Sequence, residues 1–220
     1  MKVTINAAMT LDGKIATAAG DSAISSKDDL KRVHRLRTTS DAVMVGISTV
    51  LADDPMLTAR LARGRNPARI VVDSRGRIPS ESRLLRTARE TRTMVAVTER
   101  AAKEAVGRIE ESGAEVIVAG KESVDLKALF FALEKKGIRK ILVEGGGELN
   151  WSVLKLGLAD RLIVTVAPRI AGGRLAPTLV EGDGFDQISK GIRLKLAKVE
   201  RKKTGELVLH YIPGKIHSTF

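Results

Sequence analysis

With 220 residues, 43% of them hydrophobic, the chain is long enough to close one sizeable core, and a single domain over 1–220 is expected, its tail loose after about residue 213. Its 38 Lys and Arg against 26 Asp and Glu leave a formal charge of +12, which favours anionic partners such as phosphorylated metabolites or nucleotides. The absence of cysteine excludes disulfide stapling, thiolate catalysis and cysteine-ligated metal. No apolar run approaches the ~20 residues that span a bilayer, and Met1-Lys2-Val3-Thr4-Ile5-Asn6 opens no uninterrupted apolar leader, so a soluble, cytoplasmic protein with no membrane partner is expected.

In chain order, short β-branched runs alternate with polar stretches of helical spacing. The predicted strands are Val3–Ala8, Ala42–Gly46, Arg69–Asp73, Met94–Thr98, Glu115–Ala119, Lys140–Glu144 and Arg161–Ala167. Most are apolar at nearly every position, as in Ile70-Val71-Val72, which is the mark of strands covered on both faces in a mainly parallel sheet. A first helix is signalled at Ser26 by Asp28 and Asp29, with Leu30, Val33 and Leu36 in helical register and His34 read as solvent-exposed among charged neighbours. Further helices are predicted over Glu99–Ser112 before Gly113, over Val124–Lys136 from Asp125 to Gly137, and over Glu148–Leu156. Beyond these, Ile192, Leu194 and Leu196 alternate with Arg193 and Lys195, and Leu207, Leu209 and Tyr211 recur at every second position after the turn Lys203-Thr204-Gly205. The alternation on the first strand and the renewed spacing after the turn predict an antiparallel hairpin with one wet face at the sheet edge. The fold class is α/β, a mainly parallel sheet with helices on both faces and an antiparallel C-terminal hairpin.

Four segments carry candidate chemistry. Strand Ile141-Leu142-Val143 runs through Glu144 into Gly145-Gly146-Gly147 and a helix, which suits backbone amides facing an anion. The third glycine of a dinucleotide fingerprint is replaced by Asn150, and the turn lies late in the chain, so an ordinary Rossmann domain is disfavoured. A tight turn requiring positive φ is the plainer alternative. Val72-Asp73-Ser74-Arg75 ends another strand; the Ser hydroxyl and Arg fork suit a nucleotide 2′-phosphate, Asp73 suits ribose hydroxyls, and a solvated basic turn suits the same residues. Thr49 and Asp53 share one face if Gly46–Pro55 is helical, and Asp53-Asp54 serves equally as a helix stop. Lys14 follows the turn signal Asp12-Gly13. No histidine pair has metal-ligand spacing and no Ser/His/Asp set assembles, so no metal site is expected; His210 lies in the hairpin and His217 in the tail.

Together, Met9–Ala16, Asp41–Gly46 with Thr49-Val50 and Asp53-Asp54-Pro55, Arg69–Ser74, Glu144–Gly147, and Ala167-Pro168 with Gly172-Gly173 resemble the archaeal-type reductase of riboflavin biosynthesis. The chain is similar, over essentially its whole length, to the reductase domain of the bacterial bifunctional deaminase-reductase. The resemblance implies a dihydrofolate-reductase-like fold, NADPH (NADH in some members) as hydride donor, a homodimer, and reduction of a ribosylaminopyrimidinone 5′-phosphate to its ribitylamino form. By position it implies cofactor contacts at Thr49, Asp53, Val72, Asp73, Ser74, Arg75, Gly120, Gly145, Gly146, Gly147 and Glu148. It implies substrate contacts at Lys14, Ser22, Arg37, Leu57, Arg60 and Glu144, with Asp53, Glu144 and Lys14 as catalytic candidates. Relatives often carry Trp where Ala23 stands, and no deaminase or zinc motif is present. A dihydrofolate-reductase-type pterin reductase is the alternative enzyme. A basic nucleic-acid-binding module is the remote one, disfavoured because Lys190–Lys203, with seven Lys or Arg, holds no aromatic.

Overall fold

A computed structural model describes residues 1–214. The elements in chain order are β1 (Lys2–Thr10), α1 (Lys27–Thr38), β2 (Ala42–Gly46), α2 (Ile47–Asp53), β3 (Ala68–Val72), α3 (Arg83–Arg86), β4 (Thr93–Val97) and α4 (Lys103–Glu111). They continue with β5 (Glu115–Val118), α5 (Leu126–Lys135), β6 (Lys140–Val143), α6 (Gly147–Lys155), β7 (Arg161–Ala167), β8 (Leu194–Arg201) and β9 (Leu207–Pro213). The expected tail after about residue 213, with His217, falls almost wholly outside the described residues. No helix among the described residues is long and apolar enough to cross a membrane.

The chain divides into two compact units, one of Met1 with Lys31–Leu142, the other of Lys2–Leu30 with the segment from Val143 onward. In the first, β5, β4, β3 and β2 lie side by side and parallel. Val43, Val45, Val71, Val95 and Val97 are fully buried, which is why these strands read as continuous apolar runs rather than alternating ones. Helix α5 shows how the sequence sets its own boundaries. The Asp125 carboxylate accepts the Lys127 and Ala128 amides at 2.9 and 3.0 Å, Leu126, Leu129, Phe130 and Leu133 bury one stripe, and Gly137 turns away at φ +83°.

Helix α4 starts four residues later than its sequence suggests. The Thr98 amide bonds Ser74 O and the Glu99 amide bonds Gly120 O, so Thr98–Ala101 is spent tying β4 to the loops after β3 and β5. His34 corrects another expectation. It is 2% exposed, and its Nδ1 accepts the Leu61 amide at 3.1 Å, anchoring the loop after α2. The one-turn helix α3, unmarked by periodicity, buries Leu84 and Leu85 beside Arg69. That arginine is fully enclosed, donating to the Leu84, Thr87 and Thr91 carbonyls and to the hydroxyls of Thr87 and Thr93, and burial lowers its pKa to about 10.

In the second unit the order is β1-β7-β9-β8, with β1 and β7 parallel and the other two pairings antiparallel. The C-terminal hairpin is as expected in topology, but not in its single wet face: Leu194, Leu196 and Val199 on β8 are each 42–50% exposed, and all but one of its eight positions are open to solvent. A register slip between Leu196 and Lys198 marks a bulge on this edge strand. Helix α1 begins where Ser26 caps it, and Ser26 in turn donates its amide and hydroxyl to the enclosed Glu206 carboxylate, at 2.8 and 2.6 Å.

Candidate active site

Parallel strands present their following loops at one edge, and in the first unit the register is unbroken: Gly46 pairs Val72, Val72 pairs Ala96, and Val97 pairs Val118. Helix α2, the turn Asp73–Arg77, Thr98 and Gly120 therefore share the carboxyl edge of this sheet, where ligands of open α/β sheets bind. Thr49 and Asp53 stand one helical turn apart on α2, Thr49 half-buried and Asp53 exposed. Asp54 ends that helix at φ 37°, its carboxylate accepting the Arg83 amide at 2.8 Å, so of the acidic pair Asp54 is the stop.

Val72 closes β3, and the turn beyond it is rigidly stapled. Asp73 is fully buried; its Oδ2 accepts the Ile78 amide at 2.8 Å and its Oδ1 the Arg77 Nε at 3.2 Å. The expected ribose role of its carboxylate is thereby corrected, because both oxygens face inward to bonds that shape the turn. Arg108 from α4 donates to the Gly76 and Ile78 carbonyls, and Thr98 Oγ1 to Ser74 O. On this frame neither the Ser74 hydroxyl nor the Arg75 guanidinium has a partner among the described residues. Gly120 adopts φ +92°, where a Cβ would sit 2.4 Å from Ser123 O; its glycine is dictated by the local fold.

The loop after α2 gathers three expected substrate residues. Arg37 Nη1 reaches from α1 to Thr58 O at 2.8 Å, Leu57 is enclosed at φ +51°, and Arg60 is exposed with no ion pair among the described residues. With Asp54, two non-glycine residues of one short loop hold left-handed backbone, a strain that persists only where surrounding bonds over-determine it. Here those bonds come from Arg37, His34, Arg83 and Asn66, whose Oδ1 accepts the Ala59 amide at 2.9 Å.

In the second unit Thr10 pairs Ala167, so the turn after β1 and the segment after β7 share an edge. Lys14 is half-buried and donates Nζ to Ala176 O at 3.1 Å. Asp12 accepts Thr10 Oγ1 at 2.6 Å and the Ala171 and Gly172 amides at 3.1 and 2.7 Å, bonds that hold its pKa down at about 2. Ser22 lies exposed in the loop that follows. Glu144 is half-buried at the end of β6, and Gly145 turns the chain at φ +88°. Helix α6 then begins at Gly147 with Gly146 as its cap residue and no side-chain cap bond, while Glu148 is exposed in its first turn. Asn150, in place of a third glycine, is buried; its Nδ2 donates to Leu179 O, and its Oδ1 has no partner among the described residues.

Sequence reasoning missed what joins Lys14 to the glycine turn. The strap Ala176–Glu181 receives Lys14 Nζ and the Ile15 amide on one side, and on the other its Glu181 amide bonds Gly147 O while Leu179 O takes Asn150. Gly147 is needed because a Cβ there would meet Thr178 O at 2.6 Å. The strap carries no period and no turn signal beyond Pro177, so its only trace was the unassigned apolar run Leu179-Val180.

A mostly parallel sheet closed by an antiparallel C-terminal pair, with its candidate site on strand-end loops, is the architecture of the RibD reductase domains, which are dihydrofolate-reductase-like. The chain belongs to the RibD C-terminal domain family, whose model matches residues 1–208. It is 51% identical over 199 residues to the 2,5-diamino-6-ribosylamino-4(3H)-pyrimidinone 5′-phosphate reductase of Methanothermobacter thermautotrophicus, covering 89% of this chain and 91% of that one. Its namesake from Archaeoglobus fulgidus is 42% identical over 210 residues, 90% of this chain and 92% of the relative. Among solved structures, RibD of Acinetobacter baumannii superposes with a TM-score of 0.80 at 29% identity over 97% of this chain, which spans only 58% of that longer one. The family is one of reductases and implies a nicotinamide cofactor. Each unit holds groups that fit part of one: in the second, the uncapped amides at the start of α6; in the first, Ser74 and Arg75 on a rigid frame, without side-chain partners among the described residues.

Proposed function

We propose that this chain reduces the ribosylamino group of 2,5-diamino-6-(ribosylamino)-4(3H)-pyrimidinone 5′-phosphate to the ribitylamino group, with NADPH as donor, in riboflavin biosynthesis. The observation that carries this reading is the near-full-length match, 51% identical, to a relative bearing that name. The family match over residues 1–208 supports treating the two units as one reductase domain.

Residue by residue, the Arg75 fork and Ser74 hydroxyl hold the cofactor's 2′-phosphate, which favours NADPH over NADH. Amides of Gly146, Gly147 and Glu148 hold its pyrophosphate, and Thr49 and Gly120 line the remainder. Arg37 and Arg60 bind the substrate phosphate, while Leu57 and Ser22 border the sugar. When bound, the nicotinamide supplies a hydride to C1′ of the ring-opened ribosylamine. Lys14 and Glu144 orient the substrate's polar edge, and Asp53 holds or relays the proton that offsets charge as the reduction proceeds.

A homodimer and a cytoplasmic location complete the proposal; the exposed Leu194, Leu196 and Val199 give the β8–β9 edge apolar surface for a second copy. The test is NADPH consumption by the purified chain with the pyrimidine phosphate or with dihydrofolate, the ribitylamino product being identified by mass. Turnover of dihydrofolate alone would install the pterin-reductase reading instead.

A further inference from the structure

Asp12 has no place in the roles above, yet it is the most heavily bonded exposed carboxylate near Lys14. It accepts a hydroxyl hydrogen bond from Thr10 and two amide bonds from Ala171 and Gly172. Around it the backbone is zipped on both sides: Leu11 N to Arg169 O at 2.8 Å, Ile15 N to Pro177 O at 2.9 Å, and Leu179 N to Gly13 O at 3.2 Å. Lys14 Nζ lands on Ala176 O, four residues beyond the Gly172 amide that Asp12 holds. Gly172 and Gly173 both run at positive φ, so the segment after β7 has few conformational constraints of its own and takes its course from these bonds. Between the two segments opens a cleft of about 320 Å³, whose walls include Thr10, Ala16 and Ile24 on one side and Arg169 to Ala171 on the other.

We infer that Asp12 is a positioning residue of the reaction: its carboxylate clamps residues 171–172 against the turn after β1 and thereby fixes both the reach of Lys14 and the width of this cleft. A fixed anion accepting two convergent amides is a stronger tie than a neutral acceptor, and these bonds favour its ionised form. Rotation of the Asp12 carboxylate away from Gly172 would release a two-glycine segment and, with it, the carbonyl that holds the Lys14 ammonium. The inference rests on the role proposed for Lys14, and it is tested by one measurement that needs no substrate and one that does.

Amide hydrogen exchange on the free protein reads the clamp directly. In Asp12→Asn, Ala171 and Gly172 should exchange at least tenfold faster while β1 and β7 keep their protection. Unchanged exchange at both amides, or loss of protection throughout the second unit, overturns the clamp whatever the protein reduces. Steady-state kinetics then read its consequence in a double-mutant cycle with Lys14→Ala. Asp12→Asn should lower kcat/KM for the pyrimidine phosphate about tenfold in the wild-type background and less than twofold in Lys14→Ala, with Asp12→Glu recovering part of the loss. Equal losses in both backgrounds would mean that Asp12 does not act through Lys14 and would overturn the inference. No turnover by the wild-type chain would instead sink the proposed reaction and leave the exchange result standing.

Discussion

Asp73 Oδ2 accepts the Ile78 amide at 2.8 Å inside the first unit, and this bond holds the turn from which Ser74 and Arg75 project. The acidic residue that looked in sequence like a ribose ligand is instead the scaffold for its two neighbours. Removing it in Asp73→Ala leaves the enclosed Ile78 amide without an acceptor, at a cost of about 1–3 kcal/mol. We expect a correspondingly lower denaturation midpoint and weaker NADPH binding, with Asp73→Asn milder in both because one oxygen remains. A variant as stable as wild type would show that the turn holds its shape without this bond.

Arg75 tests the cofactor assignment itself. A charge-assisted bond to a phosphate contributes about 1.5–3 kcal/mol, so Arg75→Ala should weaken NADPH binding about tenfold or more. NADH lacks the 2′-phosphate and should bind the variant as it binds wild type. Calorimetric titration with both cofactors separates the cases, and equal weakening of the two would remove Arg75 from the 2′-phosphate.

Asp53 sits exposed at the end of α2, whose buried residues are Ile47 and Val50. Asp53→Asn should therefore retain the circular dichroism and melting temperature of wild type. Its turnover should fall by about tenfold or more, the ordinary scale for a proton-handling group. Near-normal turnover would assign the proton step to another residue.

Glu200 gives a pH dependence with a definite sign. Lys202, Lys198 and His210 hold its pKa down at about 2, below the ordinary 4.5. A depressed carboxylate contributes stability that is fully present above about pH 4.5 and is lost as pH falls towards about 2. Glu200→Gln should thus melt lower than wild type near neutral pH and approach it as the solution is acidified. A constant difference across that range would show that the β8–β9 hairpin draws nothing from this charge.

The parts of the fold legible in sequence were those with a strong period or a cap. β2 and β7 begin and end where their apolar runs do, and Asp125 and Gly137 mark α5 at both ends. His34 misled because its neighbours in sequence are charged, whereas its environment is set by Leu61, 27 residues away. The strap Ala176–Glu181 was illegible for the same reason: its structure comes from Lys14, Gly147 and Asn150 rather than from its own residues. Among the proposed site residues, Ser74 and Arg75 lie just beyond β3 and Thr49 and Asp53 on the helix that follows β2, so their place beyond a strand end, though not their role, was legible. Asp12 and Asp73 could not be assigned from residue type, since a carboxylate that binds ligand and one that closes a turn read alike until their partners are seen.

Arg69 is the sharpest case of an unreadable residue, a lone charge standing at the head of an apolar strand. Fully enclosed, it is satisfied by the carbonyls of Leu84, Thr87 and Thr91 and the hydroxyls of Thr87 and Thr93, with no hydrogen bond to a carboxylate among the described residues. Its lowered pKa, about 10, still leaves it protonated at neutral pH. Arg69→Met keeps much of the volume but strands several buried acceptors, and should cost about 2–4 kcal/mol. Arg69→Lys cannot reproduce the fork and should recover only part of that loss. Because Arg69 lies on β3 and bonds Leu84 and Thr87 at α3, the same variants should loosen α3 before the site turn, visible as faster amide exchange at Leu85 and Arg86 than at Ile78. Stability equal to wild type in Arg69→Met would mean that the freed carbonyls find water, and that α3 does not depend on this side chain.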